Sequence, residues 1–140
     1  MIVADVNLVA YLLFSGENTE EASAVLRKDS IWALPYLWRS EFRNILAMHI
    51  QHRAMKLSDA TLIWDSAASL ARHHEYAVDP EAILRLVARR PITAYDAEYV
   101  ALAQHLNVPL VTFDRKLLAA APEVAISITA FLRKMRKSDS

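Results

Sequence analysis

The sequence predicts an α/β fold, a doubly wound three-layer α/β/α sandwich on a short, five-stranded parallel sheet. Three observations lead there. Short apolar runs at Met1–Ala4, Ile31–Leu34, Tyr76–Val78, Val108–Thr112 and Val124–Ile128 read as buried strands. Each is separated from the next by helical periodicity, which implies parallel strands with helices on both faces, and right-handed crossovers leave few other topologies. Finally, 140 residues at 54% hydrophobic and 23% charged suit one domain, residues 1–140, with one core.

The first strand ends at Asp5, and Leu8, Val9, Tyr11, Leu12 and Leu13 then recur at helical spacing. Ser15–Thr19 is a turn cluster, and Thr19 opens a helix to about Lys28. The strand Ile31–Leu34 is closed by Pro35, and residues 36–53 form an amphipathic helix with Trp38, Phe42, Ile45, Leu46 and His49 on one arc. Ser58 and Asp59 are read as the cap of a helix to about Arg72, with Leu62, Ile63, Ala67 and Leu70 inward. After the weak strand Tyr76–Val78, Asp79-Pro80 starts a helix, because proline suits the first helical position. Pro91-Ile92 breaks it, and Thr93 begins a helix to about Leu106. Asp114 caps a short helix after the fourth strand, and residues 129–137 close the fold as a basic helix.

Composition excludes several chemistries. With no cysteine there are no disulfides, thiolate nucleophiles or zinc fingers, which fits a reducing, cytoplasmic location. The one glycine, Gly16, rules out glycine-rich dinucleotide and phosphate loops. Lys+Arg and Asp+Glu balance at 16 each, so net charge does not advertise a nucleic-acid partner. No apolar run nears the roughly 20 residues of a membrane span, and no basic stretch precedes the first apolar segment as in a signal peptide. The basic tail Arg133–Ser140 reads first as a solvated helix end that complements the macrodipole.

Four carboxylates carry the chemistry. Asp5 and Asp114 leave the ends of strands, and open α/β sheets bind ligands outside those ends. Glu41 lies between Ile45 and Met48 at the edge of a core-facing arc, where acids are seldom left unpaired. A salt bridge to Arg39 or Arg43 explains it equally well. Asp96 stands at capping-box spacing from Thr93, yet it shares a face with Tyr99, Val100 and Ala103, leaving Glu98 as the solvent acid of that helix. Each acid alone has a structural explanation, and Asp79 is taken as a cap. Four carboxylates converging in one crevice would raise each other's pKa values, and a hard divalent cation such as Mg²⁺ or Mn²⁺ relieves that. Metal-assisted phosphodiester hydrolysis is the chemistry such a site suits.

Asp5-Val6-Asn7, Arg39-Ser40-Glu41-Phe42, Thr93-Ala94-Tyr95-Asp96-Ala97 and Val111-Thr112-Phe113-Asp114 resemble, in order and context, the motifs of PIN-domain nucleases. The nearest likeness is to VapC-type toxins of toxin–antitoxin pairs, and it covers essentially the whole chain. The resemblance implies a PIN-like fold and a Mg²⁺- or Mn²⁺-dependent endoribonuclease. Asp5, Asp96 and Asp114 would hold the metal, Glu41 would complete the site or position water, and Asn7 and Thr112 would orient the acids. It also implies an RNA substrate, a cognate antitoxin and a homodimer. Trp38, Trp64 and Tyr99 are apolar surface in excess of what one sheet covers, which also favours the dimer. Arg43, Arg115, Lys116 and the basic tail are candidates to guide a strand of RNA.

Weaker alternatives remain open. His49 and His52 are spaced as a metal pair on a helix, although His49 shares the apolar arc, and His73-His74 sit at a helix end. Trp32, Trp38 and Trp64 read as core or interface side chains before base-stacking platforms. The rival functions are an RNA-processing nuclease outside any toxin–antitoxin pair and a non-catalytic receiver-type or binding domain. A receiver would want a lysine on a late strand, and none is present.

Overall fold

The computed structural model describes residues 1–134, so the tail from Met135 to Ser140 lies outside the described residues. Its elements are β1 (Ile2–Ala4), α1 (Val6–Leu13), α2 (Thr19–Lys28), β2 (Trp32–Pro35), α3 (Trp38–His52), α4 (Leu57–Ala71), β3 (Glu75–Tyr76), α5 (Pro80–Arg89), α6 (Ala94–Leu106), β4 (Leu110–Thr112), α7 (Arg115–Ala120), β5 (Ala125–Ser127) and α8 (Ile128–Arg133). The strands form one sheet in the order β3-β2-β1-β4-β5, parallel throughout, with Val3 opposite both Ala33 and Leu110. Helix α6 covers β1, β2 and β4 with α5 outside it, while α1 packs with α2, α3 and α4, and α8 lies against β4, β5 and α2. The expected doubly wound α/β sandwich is the observed one.

The central strands carry only buried side chains. Ile2, Val3, Ala4, Trp32, Ala33, Leu34, Leu110 and Val111 are all withdrawn from water, as expected where helices cover both faces of a parallel sheet. Trp38 and Phe42 of α3 join this core, and Trp38 stacks on Trp64 of α4 with ring centroids 5.4 Å apart. Trp38 Nε1 donates to Glu75 at 2.7 Å, and the Arg39 guanidinium forks onto the same carboxylate at 2.6 and 2.7 Å. This pull on Glu75 explains why β3 occupies Glu75–Tyr76 rather than Tyr76–Val78, since Glu75 then pairs in register with Leu34.

Other local readings change. Helix α4 starts at Leu57 with Lys56 at the cap position, so Ser58 and Asp59 lie in its first turn and provide no side-chain cap. Its inward face is Ala60, Ala67 and Ala71, with Ile63, Trp64 and Leu70 half-buried, whereas Leu62 is 66% exposed. Small residues line that face because α4 closes against β2, α1 and α3. Trp38 and Tyr99 are buried within the chain, so neither argues for a dimer; the exposed apolar side chains are others, Met48, Ile50, Leu57 and Leu62 among them. His73 takes a left-handed backbone (φ 68°) just beyond α4, and α8 starts at Ile128 behind a Ser127 cap.

Candidate active site and metal centre

Strands β1 and β4 are neighbours, but the chain leaves them toward opposite faces of the sheet, into α1 and α7 respectively. That divergence opens a crevice at their carboxyl ends, the usual ligand position in such sheets. Asp5 follows β1 and Asp114 follows β4 by way of Phe113. Both are also helix caps. Asp5 Oδ1 accepts the Asn7 amide at 3.2 Å, and Asp114 Oδ1 accepts the Lys116 amide at 2.9 Å. The two uses coexist, since a carboxylate has about four lone-pair sites and a cap occupies one.

Thr112, the last residue of β4, ties the two acids together. Its fully buried hydroxyl donates to Asp5 Oδ2 at 2.6 Å and accepts the Asp114 amide at 3.0 Å. Asn7 contributes only its backbone amide to Asp5; its side chain is exposed and makes no hydrogen bond to the acids. The orienting role expected of Thr112 therefore has a geometric basis, and that of the Asn7 side chain does not.

Asp96 stands in the first turn of α6. Its amide donates to the Thr93 hydroxyl at 3.0 Å, so the cap interaction is present, and its carboxylate is half-buried. Glu41, in the first turn of α3, accepts a 2.6 Å hydrogen bond from the hydroxyl of buried Tyr99 on α6. Composition and periodicity placed Tyr99 on the inward face without showing that its hydroxyl serves Glu41. The signal was its spacing of three residues from Asp96 on that face. Neither basic neighbour pairs with Glu41: Arg39 is bound to Glu75, and Arg43 lies over the Trp64 ring, 5.3 Å from its centroid. Arg43 is exposed and lines a depression between α3 and α4.

Electrostatics join the four acids into one group. Burial lifts the Asp5 carboxyl above the ordinary aspartate range, and the Asp114 charge adds to that. Burial likewise raises Asp96, with Asp114 and Asp5 pushing the same way and Lys116 opposing. Glu41 is raised by desolvation and then by the charges of Asp5, Asp96 and Glu98, against the lowering effect of Tyr99. Glu98 is half-buried and within electrostatic reach of Glu41 and Tyr99, so it is a rim acid of the crevice rather than a purely solvent-facing one. Among the described residues none of the four acids has a salt bridge.

The donor set suits a hard divalent cation: oxygen only, anionic and short of counter-charge. Among the described residues no three or more aspartate, glutamate, histidine or cysteine side chains stand grouped closely enough to hold a metal ion. His49 is used otherwise, with Nδ1 2.9 Å from the Ile45 carbonyl and its ring stacked on Phe14, while His52 is exposed.

The sheet order, the switch-point crevice and its carboxylates define a nuclease-like α/β domain. The family model for the PIN domain matches residues 2–123, and the chain belongs to that family. It is 29% identical over 126 residues to Ribonuclease VapC3 of Pyrobaculum aerophilum, a match covering 86% of this chain and 95% of that one. Among solved structures it is similar to PAE2754 of the same organism, with a TM-score of 0.74 at 23% identity over 94% of this chain and 85% of that one. FitAcB of Neisseria gonorrhoeae aligns with a TM-score of 0.71 at 19% identity, over 92% of this chain and 99% of that one. A toxin–antitoxin complex of Klebsiella pneumoniae aligns with a TM-score of 0.67 at 17% identity, over 91% and 98%.

Proposed function

We propose that this PIN-domain protein is a Mg²⁺- or Mn²⁺-dependent endoribonuclease and the toxin of a toxin–antitoxin pair. The observation that carries the reading is the group of Asp5, Glu41, Asp96 and Asp114 at the β1–β4 crevice, coupled in charge and without salt-bridge partners among the described residues. Likeness to a VapC ribonuclease over most of both chains supports RNA as substrate, and likeness to a toxin–antitoxin complex supports an antitoxin. Asp5, Asp96 and Asp114 would hold the cation, which supplies charge neutralisation and an acidified water when bound. Glu41, raised in pKa and hydrogen-bonded by Tyr99, would orient the attacking water and take its proton. The water oxygen attacks phosphorus in line, the bond to the departing sugar oxygen breaks, and that oxygen gains a proton.

The antitoxin would lay an apolar and basic segment over the crevice, where an arginine fork can pair with the carboxylates. Exposed Met48, Ile50, Leu57 and Leu62 on α3 and α4 offer apolar surface for such a partner or for a second copy in a homodimer. The described residues include no helix long and apolar enough to cross a membrane.

The test is cleavage of RNA by purified protein with Mn²⁺ and with EDTA, beside Mn²⁺ calorimetry. Metal-dependent cleavage that is lost in Asp96→Asn supports the reading. Failure to bind Mn²⁺ or to cut any RNA would leave a binding module. A short antitoxin reading frame immediately upstream would establish the toxin role, and sedimentation at micromolar concentration near 15.8 kDa would refute the dimer.

A further inference from the structure

A groove of about 520 Å³ lies between the carboxyl end of α5 and helix α7, lined by Arg89, Arg90, Pro91, Lys116, Ala119 and Ala120. Three of these six residues are cationic, and none is acidic. Arg90 is committed to the fold, since it bonds the Ala120 carbonyl at 3.2 Å and pairs with Glu123. It fixes α5 to the far end of α7 and so sets the width of the groove. Arg89 and Lys116 are exposed and form no salt bridge among the described residues. The groove adjoins the carboxylates through Lys116, whose backbone amide donates to Asp114 Oδ1 at 2.9 Å. Arg89 also lines the next depression along α5, with Arg85 and Gln104.

We propose that this groove is a phosphate-binding subsite for single-stranded RNA, in which Arg89 and Lys116 contact the backbone beside the scissile linkage. The proposal rests on the nuclease reading above and adds the path of the strand. A chain of zero formal net charge has no overall field to attract a polyanion, so any attraction must come from local cations. An acidic crevice makes that need acute, and this groove carries two exposed cations that form no salt bridge among the described residues. No aromatic side chain is among its lining residues, so it offers no aromatic platform for a base. Contacts to phosphate position a strand without reading its sequence. The subsite therefore supplies affinity and register, and the choice of bases belongs elsewhere.

The experiment compares the parent with Arg89→Ala, Lys116→Ala and the double variant. Cleavage kinetics are measured with Mn²⁺, and a fluorescent mixed-sequence single-stranded RNA is titrated in EDTA across a salt series. Arg53→Ala is the charge control, since Arg53 lies about 18 Å further along α3 than Glu41 at 1.5 Å per residue. The double variant is expected to raise KM about tenfold or more with kcat changed far less. Its slope of log affinity against log salt should be shallower by about 1.4, at about 0.7 per phosphate contact. The loss should be the same for RNAs of different base composition, and Arg53→Ala should match the parent. A double variant with circular dichroism, KM and salt slope all like the parent's would overturn the subsite. So would an equal loss from Arg53→Ala, or a fall in kcat alone. If the parent binds RNA through these residues but cuts none, the nuclease reading fails and the subsite stands.

Discussion

Thr112→Val removes one oxygen from the centre of the site and leaves its shape intact. In the parent that hydroxyl donates to Asp5 Oδ2 at 2.6 Å and accepts the Asp114 amide at 3.0 Å, with no exposure to water. The first bond involves an ionised acceptor and contributes about 1.5–3 kcal/mol, the second about 1 kcal/mol, so the expected loss is about 2.5–4 kcal/mol. At about 3 °C per kcal/mol for a chain of this size, Tm falls by roughly 8–12 °C. The loss depends on pH in a definite direction. Thr112 favours the charged form of Asp5, which burial otherwise disfavours, so its removal raises the Asp5 pKa further. The penalty is largest where the parent's Asp5 is ionised and shrinks on acidification, as both proteins carry it neutral. Urea unfolding of metal-free protein at pH 8 and pH 4.5 measures both quantities, with Thr112→Ser restoring most of the stability. A Thr112→Val protein within about 0.5 kcal/mol of the parent at pH 8 would refute the bridge.

Further outcomes follow from the same charges. Asp5, Glu41 and Asp96 all have folded pKa values above the ordinary carboxyl range, so the metal-free folded state binds more protons there than the unfolded chain. Its stability should fall as pH rises through that window, and a Tm in EDTA that is flat or rising from pH 5 to 8 would contradict this. Asp96→Asn should abolish cleavage yet stabilise the metal-free fold at pH 7 by about 1 kcal/mol, because one repelling charge is gone. Melting with and without Mn²⁺ reads the reversal, as only the parent should gain substantially from the ion. Tyr99→Phe strips Glu41 of its one side-chain donor among the described residues; kcat should drop about 10- to 100-fold, for a charge-assisted bond of about 1.4–2.8 kcal/mol, and the acid limb of the pH–rate profile should move to higher pH. An unmoved profile would show that Tyr99 merely fills space. Glu75→Gln should lower Tm at pH 7 without affecting cleavage. The difference should vanish as pH falls through the depressed Glu75 pKa, the reverse of the trend for the crevice acids.

The features legible in the sequence are those decided within one turn of chain. Asp5, Asp79, Thr93 and Asp114 cap helices where their spacing said they should, and the core-facing residues of β1, β2 and β4 follow from apolar runs. The placement of Asp114 beside Asp5 also followed, because a strand buried on both sides had to be an interior neighbour of the first. What failed were choices made by a partner distant in sequence. Glu75 is drawn into β3 by Trp38 and Arg39, 37 and 36 residues away. The ambiguity over Glu41 was resolved the same way, since Arg39 has a better acceptor and the donor to Glu41 is Tyr99, 58 residues on. Leu62 faced outward because the face of α4 that closes on the sheet admits alanine, and periodicity alone cannot distinguish a small buried face from a large exposed one.

Composition hid one further property. A net charge of zero suggested indifference to nucleic acid, yet the charges are segregated. Asp5, Glu41, Asp96 and Asp114, far apart in sequence, feel one another's charge near the β1–β4 crevice, and cations of α5 and α7 line a groove that adjoins Asp114 through Lys116. Summed over the chain they cancel; over the roughly 10 Å of a Debye length at 0.1 M salt they do not. A phosphodiester strand would therefore meet attraction at the groove and repulsion at the unloaded crevice. On the proposed reading the two regions need opposite treatment to bind the same polymer, the groove as it stands and the crevice only once a divalent cation offsets part of its negative charge. Metal loading and substrate binding should then be positively coupled, each raising the affinity for the other by the same factor.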